Sequence, residues 1–119
     1  TALRMAERTG VPCVTDDPAG VIRLLEGASP AEADAYIHRQ LGVILRQSEL
    51  RRQELLDTLD SWLRCMGNQR RMARELHLHY NTVSYRLQQL WTLLAVDPAD
   101  PVKRLALETA LYLYRYRRA

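Results

Sequence analysis

The chain holds 119 residues, 47% of them hydrophobic, with a formal net charge of +3. This is enough apolar material for one core in the size range of a typical domain, roughly 100 to 150 residues. Phe is absent, so Leu, Ile, Val, Met and two tryptophans must build that core, which favours helix packing. Cys13 and Cys65 are isolated, which excludes a disulfide framework and a CxxC metal site. No run approaches the roughly 18 apolar residues of a membrane span, and no signal-peptide pattern opens the chain. The expectation is a soluble protein of the reduced cytosol.

In chain order, residues 2–9 read as one or two helical turns ended by Gly10. Residues 11–14 read as a short strand before the Asp16-Asp17-Pro18-Ala19-Gly20 turn, and 21–25 as a second short apolar run. Such pieces hardly form a sheet alone. They are expected to pack on the helices, exchange between chains, or lie partly disordered.

Ser29-Pro30-Ala31-Glu32 is a helix start: Ser caps, Pro fits the first position and Glu completes a capping box. This helix should run to about residue 46, burying Ala33, Ile37, Leu41, Ile44 and Leu45. Ser48 is a candidate cap for the next, whose apolar face is Leu55, Leu56, Leu59, Trp62, Leu63 and Met66. Gly67 can close that helix in a left-handed conformation, and Asn68 can cap a third over about residues 69–76, with Met72, Ala73 and Leu76 inward. His77, Leu78 and His79 form a short connection, after which Val83, Leu87, Leu90 and Leu94 restart the stripe on a helix over residues 80–94. A last helix from about 101 to 117 puts Leu107, Ala110, Leu111 and Tyr114 on one side and Leu105, Tyr112, Leu113 and Tyr116 toward the other. Two greasy faces need two neighbours, which makes this helix a candidate dimer contact.

The stretch 67–90 is thus two amphipathic helices joined by a tight turn, the pattern of a helix-turn-helix. On a wheel of about 100° per residue, Asn81, Ser84, Tyr85, Gln88 and Thr92 face away from the apolar stripe. Asn and Gln can pair bidentately with adenine, and Ser or Thr bonds either donors or acceptors, so this face suits the major groove. Arg64, Arg70, Arg71, Arg74 and Arg86 surround it, with Glu75 the sole acid between residues 61 and 94. Residues 1–60 hold 7 arginines against 10 acids, whereas 61–119 hold 10 cations against 4. Basicity belongs to the second half, as a nucleic-acid footprint requires.

Glu54-Leu55-Leu56-Asp57-Thr58-Leu59, Trp62-Leu63, Gly67-Asn68, Ala73, Leu76, His79, Asn81-Thr82-Val83 and Tyr85-Arg86-Leu87 together resemble the C-terminal helix-turn-helix domain of PucR-type (CdaR/PucR) bacterial transcriptional regulators, a family that includes purine-catabolism and sugar-diacid regulators. The Asp97-Pro98-Ala99-Asp100-Pro101 segment and the helix around Arg104 to Glu108 match the family's closing segment. The motif is also similar to the Fis-type DNA-binding domain. The resemblance covers roughly residues 48–118 and implies sequence-specific binding of double-stranded DNA by a homodimer, with helix 80–94 in the major groove. It implies a mixed α/β regulatory domain upstream, so residues 1–28 read as its remnant, 29–47 as a connecting helix and 48–119 as the DNA-binding domain. The chain opens on Thr1 and reads as a piece of a longer regulator, with any effector bound by the upstream region. It departs from the family at Tyr80, where arginine is common, and at Ser84, where a basic residue is common. With those cations gone, the helix should lean on shape and neutral hydrogen bonds.

The fold expected is mainly α: a helical bundle containing a helix-turn-helix, with a short N-terminal α/β remnant. Asn81, Ser84, Tyr85 and Gln88 are the candidate base readers. Asn68, Arg70, Arg71, His79, Thr82 and Arg86 are the candidate phosphate contacts, although Arg86 flanks the apolar stripe and is placed as well to bridge to an acid. Tyr80 is expected half-buried and Tyr85 exposed. Trp62 and Trp91 read as core, and Arg51, Arg52, Arg115, Arg117 and Arg118 as solvated charge. His77 and His79 lack a third ligand nearby, so no metal or other cofactor is expected. No phosphate loop, GxSxG, HExxH or convergent carboxylate pair is present, so the expectation is not an enzyme. The location implied is the cytoplasm, with the nucleoid. The competing reading is a helical protein-interaction or dimerisation module with a basic face.

Overall fold

The computed structural model describes residues 23–117. The helical turns and strand expected over 2–14 lie outside the described residues. Residues 23–26 are helical, and the Gly27 N–H closes on the Arg23 carbonyl at 3.1 Å. Five helices follow: α1 (Pro30–Leu45), α2 (Glu49–Arg64), α3 (Gln69–Leu76), α4 (Tyr80–Leu94) and α5 (Pro101–Arg117). Among the described residues there is no strand, and the bundle is mainly α as the apolar periodicity required.

The caps explain the boundaries. Ser29 Oγ accepts from the Glu32 N–H at 3.1 Å and Glu32 reaches back to the Ser29 N–H, so the capping box is closed and Pro30 fills the first helical position. Ser48 stands at the cap position of α2, but its hydroxyl makes no capping bond, so only its backbone serves the expected role. At α5, Asp100 Oδ1 accepts from the Val102 N–H at 2.9 Å, with Pro101 at the first position.

One core joins all five helices. Leu41 and Ile44 of α1, Leu59 and Trp62 of α2, Met72 of α3, Leu87 and Leu90 of α4, and Leu107 and Leu111 of α5 are its inner members. Trp62 meets Trp91 edge-to-face, with centroids 4.7 Å apart. Each large side chain so enclosed contributes about 1.5 to 3 kcal/mol of apolar burial. α1 lies along α5 and touches α2 and α4 as well, so it is a wall of the bundle.

Two placements differ from the periodicity. Met66 lies at the outside, 72% exposed, because the chain has already left α2 at Cys65 and turned left-handed. Leu45 is half-buried at the margin of the core. Leu113 is buried, packed with Ala33 and Ile37 of α1 in a second small cluster, so α1 is the neighbour that covers part of α5's second face. Leu105 and Tyr116 stay uncovered on that helix. Tyr112 stacks on Tyr116, and partial desolvation together with the nearby Glu26 carboxylate raises its phenol above the ordinary value.

Candidate nucleic-acid interface

The helix-turn-helix is built from α3, a three-residue connection and α4. Asn68 Oδ1 accepts from the Arg71 N–H at 3.1 Å and starts α3. The helix ends with His77 at φ 56°, the Leu78 N–H on the Ala73 carbonyl at 3.0 Å and the His77 N–H on Arg74 at 3.4 Å. That is a Schellman closure, and Leu78 then folds back to pack on the core. His79 caps α4: its Nδ1 accepts from the Asn81 N–H at 3.0 Å. An imidazole accepting at Nδ1 carries its proton on Nε2, so this histidine turns a donor outward.

Two cross-links hold the motif to its surroundings. Ser84 donates to Gln69 Oε1 at 2.7 Å, bracing α4 against the start of α3. Glu75 accepts from the fully buried Ser61 hydroxyl at 2.6 Å, from the Cys65 thiol at 3.4 Å and from Arg64, bracing α3 against the end of α2. Cys65 is a buried free thiol held in this cluster.

The exposed side of α4 carries Asn81, Tyr85, Gln88 and Thr92, as the wheel requires. Tyr85 is 61% exposed. Tyr80 is also exposed, at 45%, and lines a cleft with Arg70, Ala73 and Arg74; the half-buried place expected for it is not what its position at the very start of α4 provides. Ser84 is half-buried, with its hydroxyl hydrogen committed to Gln69, so toward a ligand it offers lone pairs only.

The arginines divide into two sets. Arg64 bonds Asp60 at 2.7 Å and Glu75, and Arg86 is half-buried with Nε 3.8 Å from Glu54 of α2. Arg86 thus occupies the acid-bridging place that its flanking position allowed. Arg70, Arg71 and Arg74 are exposed and enter no ion pair among the described residues. Asn68 keeps its side-chain amide N–H groups free of its capping role, His79 is exposed and Thr82 half-buried. Three residues absent from the expected site join it: Gln69 through Ser84, and Gln89 and Arg51 through Tyr85. Arg51 and Gln89 are 38 positions apart, a separation at which periodicity carries no signal.

A short helix, a tight left-handed turn and a longer helix with an exposed polar side define a helix-turn-helix protein. Residues 55–113 match the family model of the PucR C-terminal helix-turn-helix domain, so this chain carries a PucR-type helix-turn-helix, the DNA-binding domain of a family of bacterial transcriptional regulators. It is also similar to the uncharacterized proteins Mb2266 of Mycobacterium bovis and Rv2242 of Mycobacterium tuberculosis, each 39% identical over 56 residues. Those matches cover 47% of this chain and 14% of each relative, so the chain spans a small part of the relatives' length. No solved structure matches. No helix among the described residues is long and apolar enough to cross a membrane.

Proposed function

We propose that this chain is the DNA-binding portion of a cytoplasmic transcriptional regulator that recognises a two-fold related operator as a homodimer, with α4 in the major groove. The observation that carries this reading is the exposed amide and phenol face of α4 beside three arginines with no ion-pair partner among the described residues. Neutral hydrogen-bonding groups distinguish base edges, while free guanidinium groups hold phosphates and fix the register. Asn81, Tyr85 and Gln88 read base edges; Ser84 accepts from a base amino group through its remaining lone pairs. Asn68, Arg70, Arg71, His79 and Thr82 hold the backbone, and Arg74 joins them.

A single module contacts few bases, and two recognition helices about 34 Å apart make a longer and more selective site. α5 supports the pairing. Val102, Leu105, Thr109, Tyr112 and Tyr116 follow one another at spacings of three and four, the spacing by which one helix can pair with a second copy of itself. Val102 and Leu105 are 72% and 63% exposed. Effector sensing belongs to the region upstream.

Selection from a random duplex pool at physiological salt tests this directly. The expected product is a two-fold symmetric consensus with half-sites about one helical turn apart. Recovery of random duplex with no enrichment counts against sequence reading and favours a protein-interaction module with a basic face.

A further inference from the structure

Arg51, in the first turn of α2, reaches α4: its Nη1 lies 3.2 Å from Gln89 Oε1, and Glu54 Oε1 steadies the same nitrogen at 3.3 Å. A guanidinium only donates, so the Gln89 atom facing it must be the carbonyl oxygen. The amide nitrogen is thereby turned to the opposite side, where it lies 2.8 Å from Tyr85 Oη. An amide nitrogen also only donates, and Tyr85 must accept from it. The phenol hydrogen is left outside this chain of bonds, on a ring that stands in the open beside Gln88 and Thr92.

We propose that Arg51 and Gln89 set the hydrogen-bonding polarity of Tyr85, fixing its hydroxyl as a donor and making Tyr85 select an acceptor on the base-pair edge. In the major groove that means guanine O6 or N7, adenine N7 or thymine O4, and discrimination against the amino group of cytosine. This rests on the reading that α4 enters the major groove, and makes Arg51 and Gln89 positioning residues with no DNA contact required of them. The direction of the relay is imposed at its far end, since the guanidinium has no acceptor and cannot be deprotonated.

The test is operator selection with the intact chain and four variants, Gln89→Glu, Gln89→Met, Tyr85→Phe and the double variant Tyr85→Phe with Gln89→Glu, each checked for folding by circular dichroism. A glutamate at 89 only accepts, so the Tyr85 hydroxyl must turn its hydrogen inward and face DNA with lone pairs. Gln89→Glu is expected to shift the preferred base at one position of each half-site from acceptor to donor, with a change in preference of roughly tenfold. Gln89→Met and Tyr85→Phe should weaken preference at that same position, and Tyr85→Phe with Gln89→Glu should behave as Tyr85→Phe alone. If Gln89→Glu and Gln89→Met bind the wild-type consensus with unchanged preference at every position, or lose all duplexes equally, the polarity relay is overturned while the DNA-binding reading stands. If the wild-type chain enriches no sequence, the functional reading fails and takes the relay with it.

Discussion

Met66, His77 and Ala95 all have positive φ, at 54°, 56° and 55°, and each closes a helix where glycine is the usual occupant. The bonds repeat: the Gly67 N–H reaches the Trp62 carbonyl at 2.9 Å, Leu78 reaches Ala73 at 3.0 Å and Val96 reaches Trp91 at 3.3 Å. A left-handed residue with a Cβ costs about 1 to 2 kcal/mol relative to glycine, part of which is offset by the lower entropy of its unfolded chain. Ala95 is exposed and its methyl group is not part of the core, so Ala95→Gly should stabilise the fold by about 0.5 to 1 kcal/mol in urea or thermal unfolding. Gly67→Ala should do the opposite by a similar amount, since φ is 78° there and a new Cβ would stand 3.4 Å from the Trp62 indole nitrogen. Equal signs for the two substitutions would refute this account of the turns. Glu75 makes a different point at the same scale. Counted by charge it merely lowers the basicity of its neighbourhood, yet its carboxylate is the strong partner of the buried Ser61 hydroxyl. Glu75→Ala should therefore destabilise the fold by about 1 to 3 kcal/mol, the cost of leaving a buried donor poorly satisfied, and leave the Arg64 guanidinium freer to meet phosphate.

The helices themselves were legible because their ends are written in local chemistry. Ser29 with Glu32, Asn68 and Pro101 mark starts that the structure reproduces, and the apolar stripe of α4 falls inward at Val83, Leu87 and Leu90 as spacing requires. What the spacing did not contain is the identity of the neighbour. Leu113 and Leu105 share the second face of α5, but α1 covers Leu113 and leaves Leu105 exposed. The same holds for the polar face of α4. The wheel turns Ser84 away from the apolar stripe and Arg86 to its flank, while their partners Gln69 and Glu54 sit on other helices and become visible only when those helices are placed. That placement separates two roles the sequence joined. Ser84→Ala should lower stability by about 1 kcal/mol through the lost bond to Gln69. Gln88→Ala, at an exposed position, should leave stability within about 0.5 kcal/mol and change the ranking of selected sites. A Ser84→Ala protein of unaltered stability, measured by denaturant titration, would remove the brace from this description.

At the scale of the molecule, a net charge of only +3 conceals three exposed arginines gathered on one short helix. Each phosphate neutralised adds about 0.9 to the slope of log affinity against log salt, so replacing Arg70, Arg71 and Arg74 by alanine should flatten that slope by up to about 3 per module. Arg86→Ala should barely change it, because that guanidinium is held by Glu54. The exposed apolar residues of α5 bear on assembly. Val102 and Leu105 are too exposed to matter much to the monomer's core, so Val102→Lys with Leu105→Lys should shift unfolding stability by less than about 1 kcal/mol. If their seam pairs two copies, the same double variant should sediment as a smaller species and require higher protein concentration to occupy a two-fold operator, while binding to a single half-site stays unchanged. The contrast between the operator and the half-site separates loss of pairing from loss of DNA contact. A variant that retains the assembly state and full operator affinity would place the dimer contact elsewhere.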